Sequence, residues 1–167
     1  MGVLLALAVS EWQQEREYEE RASTELYNVH LELQSNQEVP TKIHDNNRQT
    51  IEKAQAADTA ESEDLQFIPD VQVRSTAWQT LLAIGISGHI EYDLLLSLSE
   101  TYSKQAVYRQ TGMPLVDASM SMAAMASVDR TEIDDEIMQE QFMGCFNMIR
   151  AMEERLLDSY QVSLALF

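Results

Sequence analysis

Gly2–Val9 (GVLLALAV) is uninterrupted apolar sequence, and it runs without a glycine or proline between into Ser10-Glu11-Trp12 and then QQEREYEERASTEL. A single helix can therefore begin in hydrocarbon, pass an interfacial tryptophan and continue in water. At about 1.5 Å per residue the apolar run covers only about 12 Å, under half of a ~30 Å bilayer core. It does not span on its own, so residues 1–12 read as the outer end of a longer, truncated membrane anchor. Val3, Leu4, Leu5, Leu7 and Val9 are expected to face lipid or another chain, with Trp12 at the boundary. The alternative is that the segment folds back into the domain's own core.

Residues 13–167 read as a single acidic helical domain. A chain of 167 residues is long enough to bury a core. With 5 Gly, 3 Pro and few β-branched runs, the sequence favours helices over strands. The formal net charge of -17 repels nucleic acid, and no basic patch offsets it: Lys42, Arg48 and Lys53 are scattered, and Arg16 and Arg21 sit among glutamates. The lone Cys145 lies in an apolar, Met-rich stretch and reads as a packed, inert thiol. The start lacks the basic region of a secretory signal, so an uncleaved anchor fits better. Two arginines after the anchor are too few to demand the cytoplasm, and the domain is assigned to the periplasmic side of a bacterial inner membrane.

Along the chain, the first helix is predicted to run to about Asn36. Its seam is Ala22, Leu26, Val29 and Leu33, with a solvated neck from Gln13 to Arg21 before it. Pro40 is expected to stop the helix, and a second one to span about Thr41–Ala57. Residues 58–70 read as a loop or mobile linker. Ser75 or Thr76 can cap a helix carrying Trp78, Leu81 and Leu82 that ends at Gly85. A further helix carries Leu94, Leu98 and Tyr102 to Gly112, making 75–112 a helical hairpin. A segment Leu115–Val128 precedes the last long helix, whose face holds Met138, Phe142, Met148, Ile149, Met152 and Leu156. The terminal VSLALF is expected to fray or to pack on a neighbour. The predicted fold is thus an all-α helical bundle of about five or six helices, with a long N-terminal helix projecting towards the membrane. Trp78, Leu81, Leu94, Leu98, Tyr102, Phe142, Ile149 and Leu156 are its expected core.

Two parts of this pattern carry a resemblance. One is the apolar GVLLAL stretch followed by Glu11-Trp12 and a Glu/Arg-rich helix. The other is Ala77-Trp78 through Leu82 and Gly85, then Tyr92 through Leu98 and Tyr102. Together they resemble a group of uncharacterised bacterial single-pass membrane proteins, in which an N-terminal apolar anchor ends near a Trp and a helical extramembrane domain comes next. The likeness covers roughly Gly2–Arg21 and Thr76–Gln110. This chain has Ser10-Glu11 where the group tends to show asparagines. The resemblance implies a topology of anchor, neck and helical domain, and no activity.

Chemical motifs are sparse. His30, His44 and His89 match no zinc spacing, and no cysteine partners them. Glu132, Asp134, Asp135 and Glu136 lack the EF-hand pattern, and Glu-x-x-His for a di-metal bundle is absent from the sequence. The clustered methionines fit core packing first, then an adaptable partner groove, then Cu(I). No nucleophile elbow or phosphate-binding glycine loop occurs. No cofactor is therefore expected, and the sequence supplies no catalytic set, although that leaves the question of an enzyme open. Two functions remain. The first is a membrane-anchored, non-enzymatic interaction or assembly module of the bacterial envelope, partnered by the membrane and by another envelope protein or a second copy, and not by nucleic acid. The second is a small-ligand sensor on a single-pass anchor. For a ligand or partner the nominated cluster is Tyr92, Tyr102, Tyr108 and Arg109.

Overall fold

The computed structural model describes residues 2–56, 73–112, 114–115, 118 and 135–167, with the backbone alone for Gly2, Leu4, 39–40, 43–56, 135–143 and Phe146. The expected linker 58–70 and most of the segment Leu115–Val128 lie outside the described residues. The architecture is all-helical, with no strand among the described residues. Its α-helices are α1 (Gly2–Ala56), α2 (Thr76–Ala83), α3 (Tyr92–Val107) and α4 (Asp135–Leu164). A 3₁₀ turn at Ser87–His89 joins α2 to α3, and a π-helical turn at Tyr108–Gly112 extends α3.

Among the described residues four α-helices stand where five or six were expected of the whole chain, and one reason is Pro40. The predicted break does not occur, and α1 runs through it to Ala56. Proline removes one backbone donor, the one that would have met the Asn36 carbonyl. The next carbonyl, of Gln37, accepts a bond of 2.7 Å from the Thr41 hydroxyl. On the N-terminal side of the proline, Asn36 is held by tertiary bonds to Arg74 and Gln105. Tertiary anchoring thus holds the helix at the turn where propensity alone would have ended it.

The helices alternate in direction. α2 starts beside Glu32 and ends at a turn that meets α1 near Glu15 and Tyr18, so it runs antiparallel to α1. α3 returns alongside α1, with Tyr102 at Glu32 and Gln105 at Asn36. α4 comes back down, pairing Glu153 with Tyr108, Tyr160 with Gln105 and Ser163 with Thr101. Gly85 terminates α2 at φ +73, a left-handed conformation that glycine adopts without strain. At Gly112 a Cβ would stand 3.3 Å from the Tyr108 ring, a tight contact that glycine avoids.

The seam expected from the spacing is the one that packs. Ala22, Val29 and Leu33 are buried, Leu26 is partly buried, and Asn36 continues the row one turn on. Trp78, Leu81, Leu94, Leu98, Tyr102, Ile149 and Leu156 are buried as expected, while the Phe142 side chain lies outside the described residues. Met148 departs from the expected face at 48 % exposure, and Cys145 is only half-buried. The tail does not fray. α4 continues to Leu164, Ser163 is fully buried, and Phe167 meets His30 edge-on with ring centroids 4.7 Å apart. Leu98 sits fully buried among these helices, whereas Leu96, two residues earlier, is largely exposed. Leu98→Ala is expected to cost about 2–5 kcal/mol in urea unfolding, against about 0.5 kcal/mol or less for Leu96→Ala.

Candidate functional site

A layer of buried polar groups crosses the bundle at mid-height. Glu32 of α1 accepts hydrogen bonds from the backbone N–H of Ala77 at 2.9 Å and of Trp78 at 3.4 Å. It also accepts one from the Tyr102 hydroxyl at 2.7 Å. Ser75 stands at the N-cap position of α2 but makes no side-chain cap bond. A carboxylate from another helix therefore does the capping, placed where the α2 dipole favours negative charge. The Trp78 and Tyr102 rings stack face to face beside it, with centroids 5.2 Å apart and planes within 3°.

One turn further along α1, the Asn36 side chain pairs with the backbone of Arg74 in both directions: its Nδ2 donates to the carbonyl at 2.6 Å and its Oδ1 accepts from the N–H at 2.8 Å. Gln105 donates to the same Arg74 carbonyl at 2.8 Å, and its Oε1 accepts from Asn36 and from the Tyr160 hydroxyl at 2.7 Å. Asn36, Gln105 and Tyr160 are all fully buried. Below this layer Ser97, Thr101 and Ser163 share a hydroxyl chain with 2.8 Å links between α3 and α4. Above it the Tyr108 hydroxyl donates to the buried Glu153 at 3.1 Å.

These networks set the tyrosine chemistry. Burial first, then the Glu32 carboxylate, holds the Tyr102 hydroxyl far above the ordinary phenol range. Burial and the charge of Glu153 do the same for Tyr108, and burial with the charge of Glu32 for Tyr160. They are therefore neutral hydrogen-bond donors in the folded chain, not acids for catalysis near neutral pH.

The nominated cluster does not come together as one site. Tyr92 is 72 % exposed at the start of α3, Tyr102 serves Glu32, Tyr108 serves Glu153, and Arg109 is exposed on the π turn. The four are near one another in sequence, but the two buried hydroxyls turn towards different helices. Among the described residues a groove of about 510 Å³ lies between α2 and α3, lined by Trp78, Leu82, Leu95, Ser99, Tyr102 and Ser103. Among the described residues no group of His, Cys, Asp and Glu side chains is arranged to hold a metal ion.

The apolar start forms the opposite end of the molecule. Val3, Leu5, Leu7 and Val9 are all half exposed or more on α1, and Trp12 is 58 % exposed. Leu4 belongs to the same turn, with its side chain outside the described residues. Val3 and Leu7 share one side of the helix, while Leu5 and Val9 share the other, because positions four apart align and positions two apart oppose. The Arg16 guanidinium sits over the Trp12 ring, 5.2 Å from its centroid. From Gln13 to Arg21 every residue is exposed, and the Glu17–Arg21 pair forms at 3.8 Å. Body and neck meet where the His89 Nδ1 lies 3.3 Å from the Glu15 carboxylate and its ring stacks on Tyr18. Among the described residues no helix is long and apolar enough to cross a membrane.

Glu32, Asn36 and Gln105 were not among the residues nominated from the sequence. The available signal was the seam itself: Glu32 and Asn36 flank Leu33 in the same helical register, polar residues at a position that must be covered. Replacing Glu32 with Gln puts an amide N–H₂ among three donors, and is expected to destabilise the fold by about 1–3 kcal/mol in urea unfolding. The tyrosines give a pH test. Their folded-state values lie above the ordinary phenol value of about 10, so the stability they hold is complete below that pH and falls as pH rises through it. The urea midpoint should drop above about pH 10, with three of the 6 tyrosines silent in phenolate absorbance until the chain unfolds. A midpoint unchanged to about pH 11 would contradict this. The chain matches no protein-family model, and no curated protein and no solved structure is detectably similar to it.

Proposed function

We propose that this protein is a membrane-anchored, non-enzymatic helical interaction or assembly module of the bacterial envelope, its body on the periplasmic side of the inner membrane. The observation that carries this reading is the N-terminal end of α1. Its apolar side chains are exposed on opposite sides of the helix, and nothing among the described residues covers them. A protein groove takes one stripe of a helix, whereas an apolar solvent takes the whole circumference. Trp12, stacked with Arg16, stands where an interfacial aromatic belongs. The same helix then builds the core from Ala22 onwards, so anchor and body are one element. The buried polar groups of the body are engaged in holding helices together, which suits a scaffold for partners better than a reaction centre. The partner is another envelope protein or a second copy.

The groove between α2 and α3 supports a second reading, a small-ligand sensor on the same anchor. Its wall carries Trp78 and Tyr102, and Tyr102 bonds Glu32 of α1, so an occupant would sit one residue from the helix that leads to the arm.

Both readings require the arm to bind lipid. Full-length protein is expected to co-float with phosphatidylcholine vesicles, and the double substitution Leu5→Asp with Val9→Asp to release it into the soluble fraction with unchanged helicity. Equal soluble recovery of both proteins as monomers would remove the anchor.

A further inference from the structure

Helix α3 carries a face that the body does not use. Tyr92, Leu96, Ser99, Ser103 and Ala106 are all exposed, Tyr92 at 72 % and Leu96 at 54 %. Along the chain they are spaced by four, three, four and three residues. That is the heptad spacing, which keeps one seam of a helix turned towards a partner helix. The charged residues of α3 are Asp93, Glu100 and Lys104, and none of them occupies the seam. On one side the seam is flanked by Val107, exposed at 54 %. On the other lies the groove between α3 and α2, lined by Trp78, Leu82 and Leu95. From Ser75 through Ile90, the stretch that holds α2, the chain contains no Asp, Glu, Lys or Arg. An uncharged face thus stands on a protein of net charge -17.

We propose that this face is where two copies of the chain pair, α3 against α3, with the two helices parallel. The inference rests on the anchored-module reading above and narrows its partner to a second copy. Charge selects the occupant. A basic partner would be drawn to the acidic remainder of the surface, and nothing on this face would hold it. A partner as acidic as this chain is repelled except where both surfaces lack charge. Shape agrees. Leu96 and Val107 make a ridge beside the groove, and a two-fold axis along the seam sets the ridge of each copy into the groove of the other. The direction follows from the arm. α3 runs the same way as α1, since Tyr102 meets Glu32 and Gln105 meets Asn36. Two arms entering one bilayer from the same side therefore carry two parallel α3 helices, and the small side chains of Ser99 and Ser103 let these approach closely.

Disulfide trapping in the full-length chain tests this. In a Cys145→Ser background with phosphatidylcholine vesicles, Ser103→Cys should oxidise to a covalent dimer. A parallel two-fold seam brings position 103 against its own copy, within the ~4.4–6.8 Å Cα separation that a disulfide needs. Tyr27→Cys, exposed at 61 % on α1, should stay monomeric. In detergent the unmodified chain should sediment as a dimer. The double substitution Ser99→Glu with Ser103→Glu, at two exposed positions, should give a monomer of unchanged helicity. A chain that floats with the vesicles but neither crosslinks at position 103 nor sediments as a dimer overturns the pairing and leaves the anchor standing. A chain that crosslinks at position 103 but stays off the vesicles keeps the pairing and removes the anchor. A dimer that survives the two glutamates, or that crosslinks equally at position 27, has its contact elsewhere and overturns the α3 face.

Discussion

The Glu32 carboxylate fixes the relation of three helices at one point. It stands on α1, accepts the first free N–H groups of α2, and accepts the hydroxyl of Tyr102 from α3. Apolar contacts alone would permit α2 to slide along α1 by a turn at small cost, because one leucine pocket resembles the next. A partly buried carboxylate with three specific donors does not permit it, since a slip would leave a charge and several donors unmet. Asn36 repeats the device a turn later by pairing with both backbone groups of Arg74. Together the two residues set the height at which the hairpin joins the long helix.

The same layer accounts for how a strongly acidic chain keeps carboxylates inside. Glu32 and Glu153 each meet a tyrosine hydroxyl, a donor that brings no charge of its own and stays protonated where it is buried. At Glu32 all three donors are uncharged, in a chain that has 11 Lys and Arg against 28 acids. The surface pairs that do form, such as Arg16–Glu20 and Arg21–Glu17 at 3.8 Å, are exposed and contribute little to stability.

How much of the fold is legible in the sequence depends on the kind of force involved. Periodicity gives the seam of α1, the hairpin of α2 and α3 and, at Ile149 and Leu156, part of the inward face of α4, because burial of large apolar side chains follows spacing. Gly85 is legible as a terminator for the same local reason, and its positive φ agrees. Pro40 misleads, since the rule that proline ends a helix weighs only local terms, and here Asn36 is held from outside. The polar layer is invisible because Glu32, Asn36, Gln105 and Tyr160 look like ordinary surface residues until their partners, far apart in sequence, are brought together. The tyrosine cluster fails in the reverse way: nearness in sequence suggests convergence, and the hydroxyls of Tyr102 and Tyr108 diverge to separate carboxylates. Val3, Leu5, Leu7, Val9 and Trp12 lie exposed along α1 rather than folded back into the core.

Helix α1 is a single unbroken element from the arm through the seam. No joint separates the apolar end from the body, so the azimuth of the bundle about the arm is set by residue count alone. Each residue added to or taken from the neck turns everything beyond it by about 100° and moves it by about 1.5 Å. The neck thus acts as an indexed shaft. Its sequence can drift among polar residues, but its length sets the angle between the apolar end and the body.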